Sequence, residues 1–393
     1  MICHFPVLSS TVRVNSKITA VFWLLLSLMA LAGCQKKPAT AIGLDLSDIL
    51  GGQNTHGFER ALKEREFHFP QDHAAHETFR NEWWYLTGNV SDGEDRVFGY
   101  QVTFFRTAIV PVLALQTQIT ERQSNWAVND IWMAHAAVTD INGQVHYHKQ
   151  RFSRANPGLA GAKTNPIKIW LEDWTLGSVS NDFPWQLQVK TKDFDLALEL
   201  KPTKGHVLQG DQGLSQKSAV PGNASYYYSY TRMATKGIIR LNGNTIDVNG
   251  SSWFDREWST SALDKNQSGW NWFSLQLDSG EDLMYYQLLD LKGRADINSQ
   301  GKWVDDIGNS LAIKPTDIKL NILEEWQSQD GKRYPTRWQI DYAAQNKSWV
   351  VEAVMDDQYM DLAVKYWEGA VAIFDAESQK LVGRGYLEMT RSR

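Results

Sequence analysis

The sequence predicts an all-β fold of antiparallel barrels or sandwiches. Three observations carry this. Turn signals such as Asn142-Gly143, Asn242-Gly243 and Asp330-Gly331 recur about every 8–15 residues, as they do between short antiparallel strands. The runs between them alternate in polarity, and no stretch reads as an amphipathic helix longer than about three turns. The chain also carries 17 Trp, 14 Tyr and 15 Phe, residues that favour pleated surfaces and line large apolar cavities. Two barrels packed side by side would close the strand edges that so long a β chain otherwise exposes.

The N-terminus comes first. Arg13 and Lys17 precede an apolar run, 18–31, that is too short to span a bilayer comfortably, a task for roughly 20 apolar residues. The run ends in Leu31-Ala32-Gly33-Cys34, a lipobox pattern. We therefore expect a signal peptide over 1–33 and diacylglyceryl attachment at Cys34. Gln35 stands where an Asp would favour inner-membrane retention, so the expected place is the outer membrane, facing the periplasm. Cys3 leaves with the signal, so the folded part has no disulfide and no thiol nucleophile. Removing Arg13 and Lys17 takes the net charge from −5 to −7, which argues against a nucleic-acid partner.

Residues 34–57 read as a tether and 58–393 as the β body. Val97–Phe105, Phe194–Leu200 and Trp272–Leu277 are representative strands. In the last, 273, 275 and 277 are apolar and 274 and 276 polar, which predicts one wet face. A body this long suggests two domains, divided at 238/239 into 58–238 and 239–393. Further turns are expected at Ser91-Asp92-Gly93, Lys204-Gly205, Asn249-Gly250, Ser279-Gly280 and Lys292-Gly293.

Several segments together resemble a known group. They are 67–76 with Asn81-Glu82-Trp83-Trp84-Tyr85, then Ser252-Trp253-Phe254-Asp255-Arg256-Glu257-Trp258, Gly269-Trp270-Asn271-Trp272, Tyr366-Trp367-Glu368-Gly369 and Gly383-Arg384-Gly385-Tyr386-Leu387-Glu388. The chain is similar to the AttH-like and carotenoid 1,2-hydratase group of lipocalin-like proteins. The resemblance implies two lipocalin-like barrels. It also implies functions that range from hydro-lyase or pericyclase-type enzymes to secreted proteins encoded beside ABC exporters, once labelled hydrolases. Fold is fixed by such a likeness better than activity is.

Asp255, among Trp253, Phe254, Trp258, Trp270 and Trp272, is the leading chemical candidate. In an apolar cavity its carboxyl would stay protonated, able to give a proton to an alkene while indole faces steady the positive charge. The resemblance implies such a role for an Asp two residues after an aromatic, as in Trp253-x-Asp255. Where the hydratases carry His-x-Trp, this chain has Tyr226-x-Tyr228, so Tyr226 and Tyr228 are the expected assisting groups. The competing reading pairs Asp255 with Arg232 or Arg256, which would lower its pKa and disable it. The inward aromatics expected to line a ligand cavity are Trp83, Tyr85, Tyr100, Phe104, Trp258, Trp270, Trp272 and Tyr286.

Other chemistries have thinner support. Asp72-His73-x-x-His76 with Glu82 mixes metal-ligand types but reads better, with Arg80, as a hydrogen-bonded plug at the end of the first barrel. His146-x-His148 has no third ligand nearby in sequence. No Gly-x-Ser-x-Gly elbow and no phosphate-binding Gly loop occurs. The expectation is thus a lipid-anchored protein that needs no cofactor or metal. It would bind a hydrophobic small molecule or lipid in an aromatic barrel cavity, working with an ABC-type exporter; the alternative is a hydratase- or cyclase-like enzyme that uses Asp255 as general acid.

Overall fold

The computed structural model describes residues 55–112, 129–156, 158–180, 182–261 and 263–391. The expected signal, Cys34 and the tether up to residue 54 lie outside the described residues. Beyond the tether the chain is all-β, in two barrel-like sheets, one nearly closed and one a half-barrel.

The first sheet holds β1 (Asn81–Ser91), β2 (Val97–Ala108), β3 (Asp130–Asp140), β4 (Val145–Arg154), β5 (Ala160–Thr164), β6 (Ile167–Leu171) and β7 (Trp174–Ser178). It continues with β8 (Trp185–Lys190), β9 (Phe194–Pro202), β10 (Val207–Leu208), β11 (Leu214–Gln216), β12 (Ala224–Leu241) and β13 (Asn244–Ser261). Its order is β4-β3-β2-β1-β13-β12-β9-β8-β7-β6-β5, with β10 and β11 beside β12. The second holds β14 (Gln267–Leu277), β15 (Asp282–Asp290), β16 (Gln300–Val304), β17 (Ser310–Ile313) and β18 (Ile318–Gln327). Then come β19 (Arg333–Tyr342), β20 (Lys347–Ala353), β21 (Tyr359–Met360), β22 (Tyr366–Asp375) and β23 (Leu381–Met389). The order is β17-β16-β15-β14-β23-β22-β20-β19-β18, with β21 on β22.

Turn chemistry sets the hairpins. Asn242 and Gly243 both take positive φ, 51° and 80°, the two-residue turn whose twist suits a hairpin, and they join β12 to β13. Asn249-Gly250, expected as a turn, instead lies inside β13, where Gly250 pairs with Thr235 and Val90. A Cβ there would collide with the backbone of Asn89, so the glycine serves close strand approach. The division expected at 238/239 falls inside β12, which pairs with β13. The chain passes from one sheet to the other between Ser261 and Gln267.

Burial separates two kinds of strand. In β8 and β9, Leu187, Val189, Leu196, Leu198 and Leu200 are buried while their alternate neighbours reach solvent. By contrast β1, β2, the second half of β13 and most of β14 are buried on both faces. Their second face packs against the other sheet. The wet face expected for Ser274 and Gln276 is therefore dry: Gln276 is buried and donates from Nε2 to the carbonyls of Thr231 (2.6 Å) and Ser252 (3.1 Å). At Gly99 on β2 a Cβ would stand 2.6 Å from that of Ala370 on β22, so only glycine permits this approach. The seam is clamped by buried Asp282, which accepts from Thr231 Oγ1 (2.8 Å), Arg232 Nη2 (2.7 Å) and Lys204 Nζ (2.8 Å).

Candidate functional site

The pocket with the richest chemistry opens at this seam, not inside the first barrel. Its cavity volume, as room for the centres of water-sized molecules, is about 80 Å3. Strand alternation supplies the walls: Trp83 and Tyr85 from β1, Phe105 from β2, Tyr227 from β12, and Asp255 and Glu257 from β13. Trp270, Trp272, Tyr286, Leu288 and Glu388 come from β14, β15 and β23, while Lys217 and Leu263 come from connecting segments.

Asp255 is 3% exposed and has no cationic partner among the described residues. Its Oδ2 accepts from the Tyr227 hydroxyl at 2.5 Å, and its Oδ1 from Ser229 Oγ (2.5 Å) and Trp253 Nε1 (2.7 Å). Burial pushes the carboxyl up to about 7, with a small contribution from Glu257, although the three donors pull the other way. The pairing with Arg232 or Arg256 does not form. Arg232 is held by Asp282, and Arg256 by Glu82 on the opposite face. Asp255 therefore sits near the midpoint of its titration at neutral pH, suited to giving and taking a proton. Trp272 Nε1 donates to the Tyr227 hydroxyl at 3.2 Å and fixes that phenol from the second sheet.

Two further acids flank the site. Glu388 accepts from Trp270 Nε1 at 2.6 Å, and burial also raises it to about 7, against that hydrogen bond and with Asp255 and Glu257 adding to the rise. Glu368, fully enclosed behind Tyr85, is pushed well above the usual carboxylate range by burial and by Glu388. Glu257 is paired with Lys217 Nζ at 3.1 Å and accepts from Ser225.

The structure sorts the expected site residues by face. Trp83, Tyr85, Trp270, Trp272 and Tyr286 line the pocket with Asp255, and Trp253 donates to that carboxyl. Tyr226, Tyr228, Tyr100, Phe104 and Trp258 do not. They belong to the core of the first barrel, on the other face of the same strands. Tyr228 bonds His73 Nδ1 at 2.6 Å, Tyr226 donates to the Lys63 carbonyl, and Trp258 stacks on His76 at 3.7 Å. Tyr227 takes the place expected of Tyr226 and Tyr228. The reason is local: Thr231 and Arg232 together stand opposite the single Trp253, and this extra residue flips the facing of everything before it in β12. Tyr227, Ser229, Glu257, Lys217 and Glu388 were not anticipated as site residues. Alternation from Asp255 could have found Glu257; the others need the bulge or the second sheet.

The segment around Asp72 forms a charged plug under the same core. Glu82, wholly enclosed, accepts from Arg106 Nη1 (2.8 Å), from Arg256 and from the His76 amide (2.9 Å). Burial alone would raise its pKa, but Arg256 and Arg106 hold it far below the usual carboxylate range. Asp72 accepts from Arg65 (2.9 Å) and the His68 amide (2.7 Å), and Trp84 Nε1 donates to the His73 carbonyl (2.7 Å). The His146 and His148 rings stand 5.4 Å apart, with His146 bonded to Thr139. Among the described residues no group of His, Cys, Asp and Glu is spaced to hold a metal ion.

Comparison with known proteins agrees with this architecture. The AttH-like family matches residues 60–392. A crystal structure of a Nitrosomonas europaea protein assigned as an AttH is 31% identical, with a TM-score of 0.75 over 85% of this chain and 99% of that one. Kievitone hydratase from Nectria haematococca shares the fold at 13% identity and a TM-score of 0.61, over 86% of this chain and 98% of its own. CghA bound to Sch210972 does so at 11% and 0.51, over 89% and 98%. No curated protein matches the chain.

Proposed function

The chain belongs to the AttH-like family, and from that premise we propose that it is a cofactor-free proton-transfer enzyme acting on an unsaturated, largely apolar ligand in the seam pocket. One observation carries the reading. Asp255 faces an aromatic cavity, pairs with no cation among the described residues, and has its pKa raised by burial to about 7. Such a carboxyl is a general acid in one protonation state and a base in the other, and effects of this kind contribute about 10²–10⁴-fold to rate. Tyr227, Ser229 and Trp253 orient it, and Glu388 offers a second carboxyl for the proton's return. The reaction class is addition to, or isomerisation of, a carbon–carbon double bond. Two solved structures of this fold carry names from such chemistry or from ligand binding, kievitone hydratase and CghA with Sch210972; their likeness bears on fold alone.

The test is deuterium incorporation. Purified protein is incubated in D2O with an apolar extract of the source cells, and labelled products are sought by mass spectrometry. Wild type should transfer deuterium to carbon, and Asp255→Asn should lower that rate by at least about 100-fold. Label incorporated equally by both proteins, or by neither, sinks the reading.

A carrier role uses the same pocket and is favoured by its apolar walls. In that reading Leu31-Ala32-Gly33-Cys34 gives a lipid anchor at the outer membrane, and the bound molecule passes to or from an ABC-type exporter. A ligand that co-purifies with both wild type and Asp255→Asn, without any label transfer, would support it.

A further inference from the structure

Among the described residues lining the pocket, Lys217 is the one cation, and proton transfer by Asp255 does not employ it. It follows β11 and is buried, with Nζ 3.1 Å from Glu257 Oε1 and 3.9 Å from the centre of the Tyr286 ring. Burial opposes its charge, yet Glu257 outweighs that and keeps the ammonium protonated. Tyr286 is braced in turn by Ser215, 2.8 Å from its hydroxyl. An ammonium has three N–H donors. Glu257 engages the ammonium on one side, and Nζ sits against the Tyr286 ring at the pocket wall, where a ligand oxygen can meet it. Glu257 and Asp255 point the same way two residues apart on β13, and Lys217 Nζ also lies 5.3 Å from the centre of the Tyr227 ring whose hydroxyl bonds Asp255.

This arrangement discriminates between ligands. An isolated alkene offers the Lys217 ammonium no acceptor for its N–H groups. Negative charge drawn onto an oxygen is attracted by it, all the more because the site is dry. We propose that Lys217, with Tyr286, receives the carbonyl oxygen of the ligand. The substrate class is then a conjugated enone or enoyl compound with an aromatic or apolar body, not a bare isoprenoid alkene. The inference rests on the proton-transfer reading only for the role of Asp255.

The test is binding rather than turnover. Two probes share one skeleton, 4-phenyl-3-buten-2-one and 1-phenyl-1-butene, and differ in the carbonyl. Isothermal titration calorimetry on wild type should give at least about 10-fold tighter binding of the ketone. Lys217→Met alone leaves Glu257 buried and unpaired, which threatens folding, so Lys217→Met/Glu257→Gln removes both charges together. That double variant, checked by near-ultraviolet circular dichroism, should bind the hydrocarbon as wild type does and lose the preference for the ketone. Asp255→Asn should keep the preference. The proposal is overturned by equal affinities in wild type, by no binding of either probe, by a preference that survives in the double variant, or by one that vanishes in Asp255→Asn. Absence of deuterium transfer with the preference intact counts against the proton-transfer reading alone.

Discussion

Glu82 and Asp255 are both buried carboxyls on the paired strands β1 and β13, yet they meet opposite environments. Glu82 points into the first barrel, where Arg106 and Arg256 neutralise it. Asp255 points out to the seam, where two hydroxyls and the Trp253 indole meet it and, among the described residues, no cation does. Arg256 is the next residue after Asp255, so one step along the strand separates a saturated ion cluster from a carboxyl left free to titrate. The lesson is that burial alone does not make an acid. What surrounds the buried group decides whether it is a structural anion or a proton donor.

The largest expected effect tests the saturated side. Glu82→Gln leaves two guanidinium groups short of their shared counter-charge and should cost about 3–5 kcal/mol of stability at pH 7, read by urea denaturation. A loss below about 1 kcal/mol would mean that the plug is not a coupled unit. Because the folded pKa of Glu82 lies below its ordinary 4.5, its contribution is present above that pH and fades as acid is added; the variant should flatten that acid limb.

Asp255→Asn should have the opposite sign. The folded carboxyl keeps its proton up to about pH 7, whereas an unfolded one releases it near 3.8. Between those values the native state binds more protons, so stability falls as pH rises through this window. Replacing the acid should therefore stabilise the protein by about 1–3 kcal/mol at pH 8 and change little at pH 3, seen as a higher Tm only at the alkaline end. Equal Tm at both pH values would contradict an elevated carboxyl.

The smallest effect separates the two faces of β12. Tyr227→Phe deletes one donor to Asp255, worth about 0.5–1.5 kcal/mol, and should move the carboxyl's midpoint further up, by one pH unit at most. Carbon-13 NMR of labelled Asp would follow it. Tyr226→Phe, whose hydroxyl donates to the Lys63 carbonyl, should leave that midpoint in place. Equal responses would break the distinction between faces.

Much of the fold was legible because it rests on local rules. Asn242-Gly243 forms the hairpin that its dihedral needs predict, and the aromatic runs form strands. Asp255 stood out because Trp253 stands two residues before it in sequence, and Trp253 also bonds it in space. What stayed hidden depends on contacts between the sheets or on a single bulge. Counting strand pairs back from Asn242-Gly243 without interruption sets Tyr230 opposite Asp255 and turns Tyr226 and Tyr228 toward it. The two residues opposite Trp253 shift that partner to Ser229 and bring Tyr227 round instead. Neither Thr231 nor Arg232 announces a bulge in sequence. Their side chains both reach Asp282, and that tie across the seam is a non-local reason for the irregularity. Ser274 and Gln276 misled in a similar way, being polar residues on a face that another sheet covers.

The position of β23 has a consequence for how the molecule assembles. It is the last described strand, yet it lies in the middle of the second sheet, bonded to β14 on one side and β22 on the other. Until β23 arrives, β14–β17 and β18–β22 are two separate ribbons, each with a sticky inner edge. Synthesis of this chain thus leaves both β edges unfinished until Leu381–Met389 has been made. Joining strands so distant in sequence is entropically slow. The nascent protein would depend on a chaperone, or on delayed folding, at that stage.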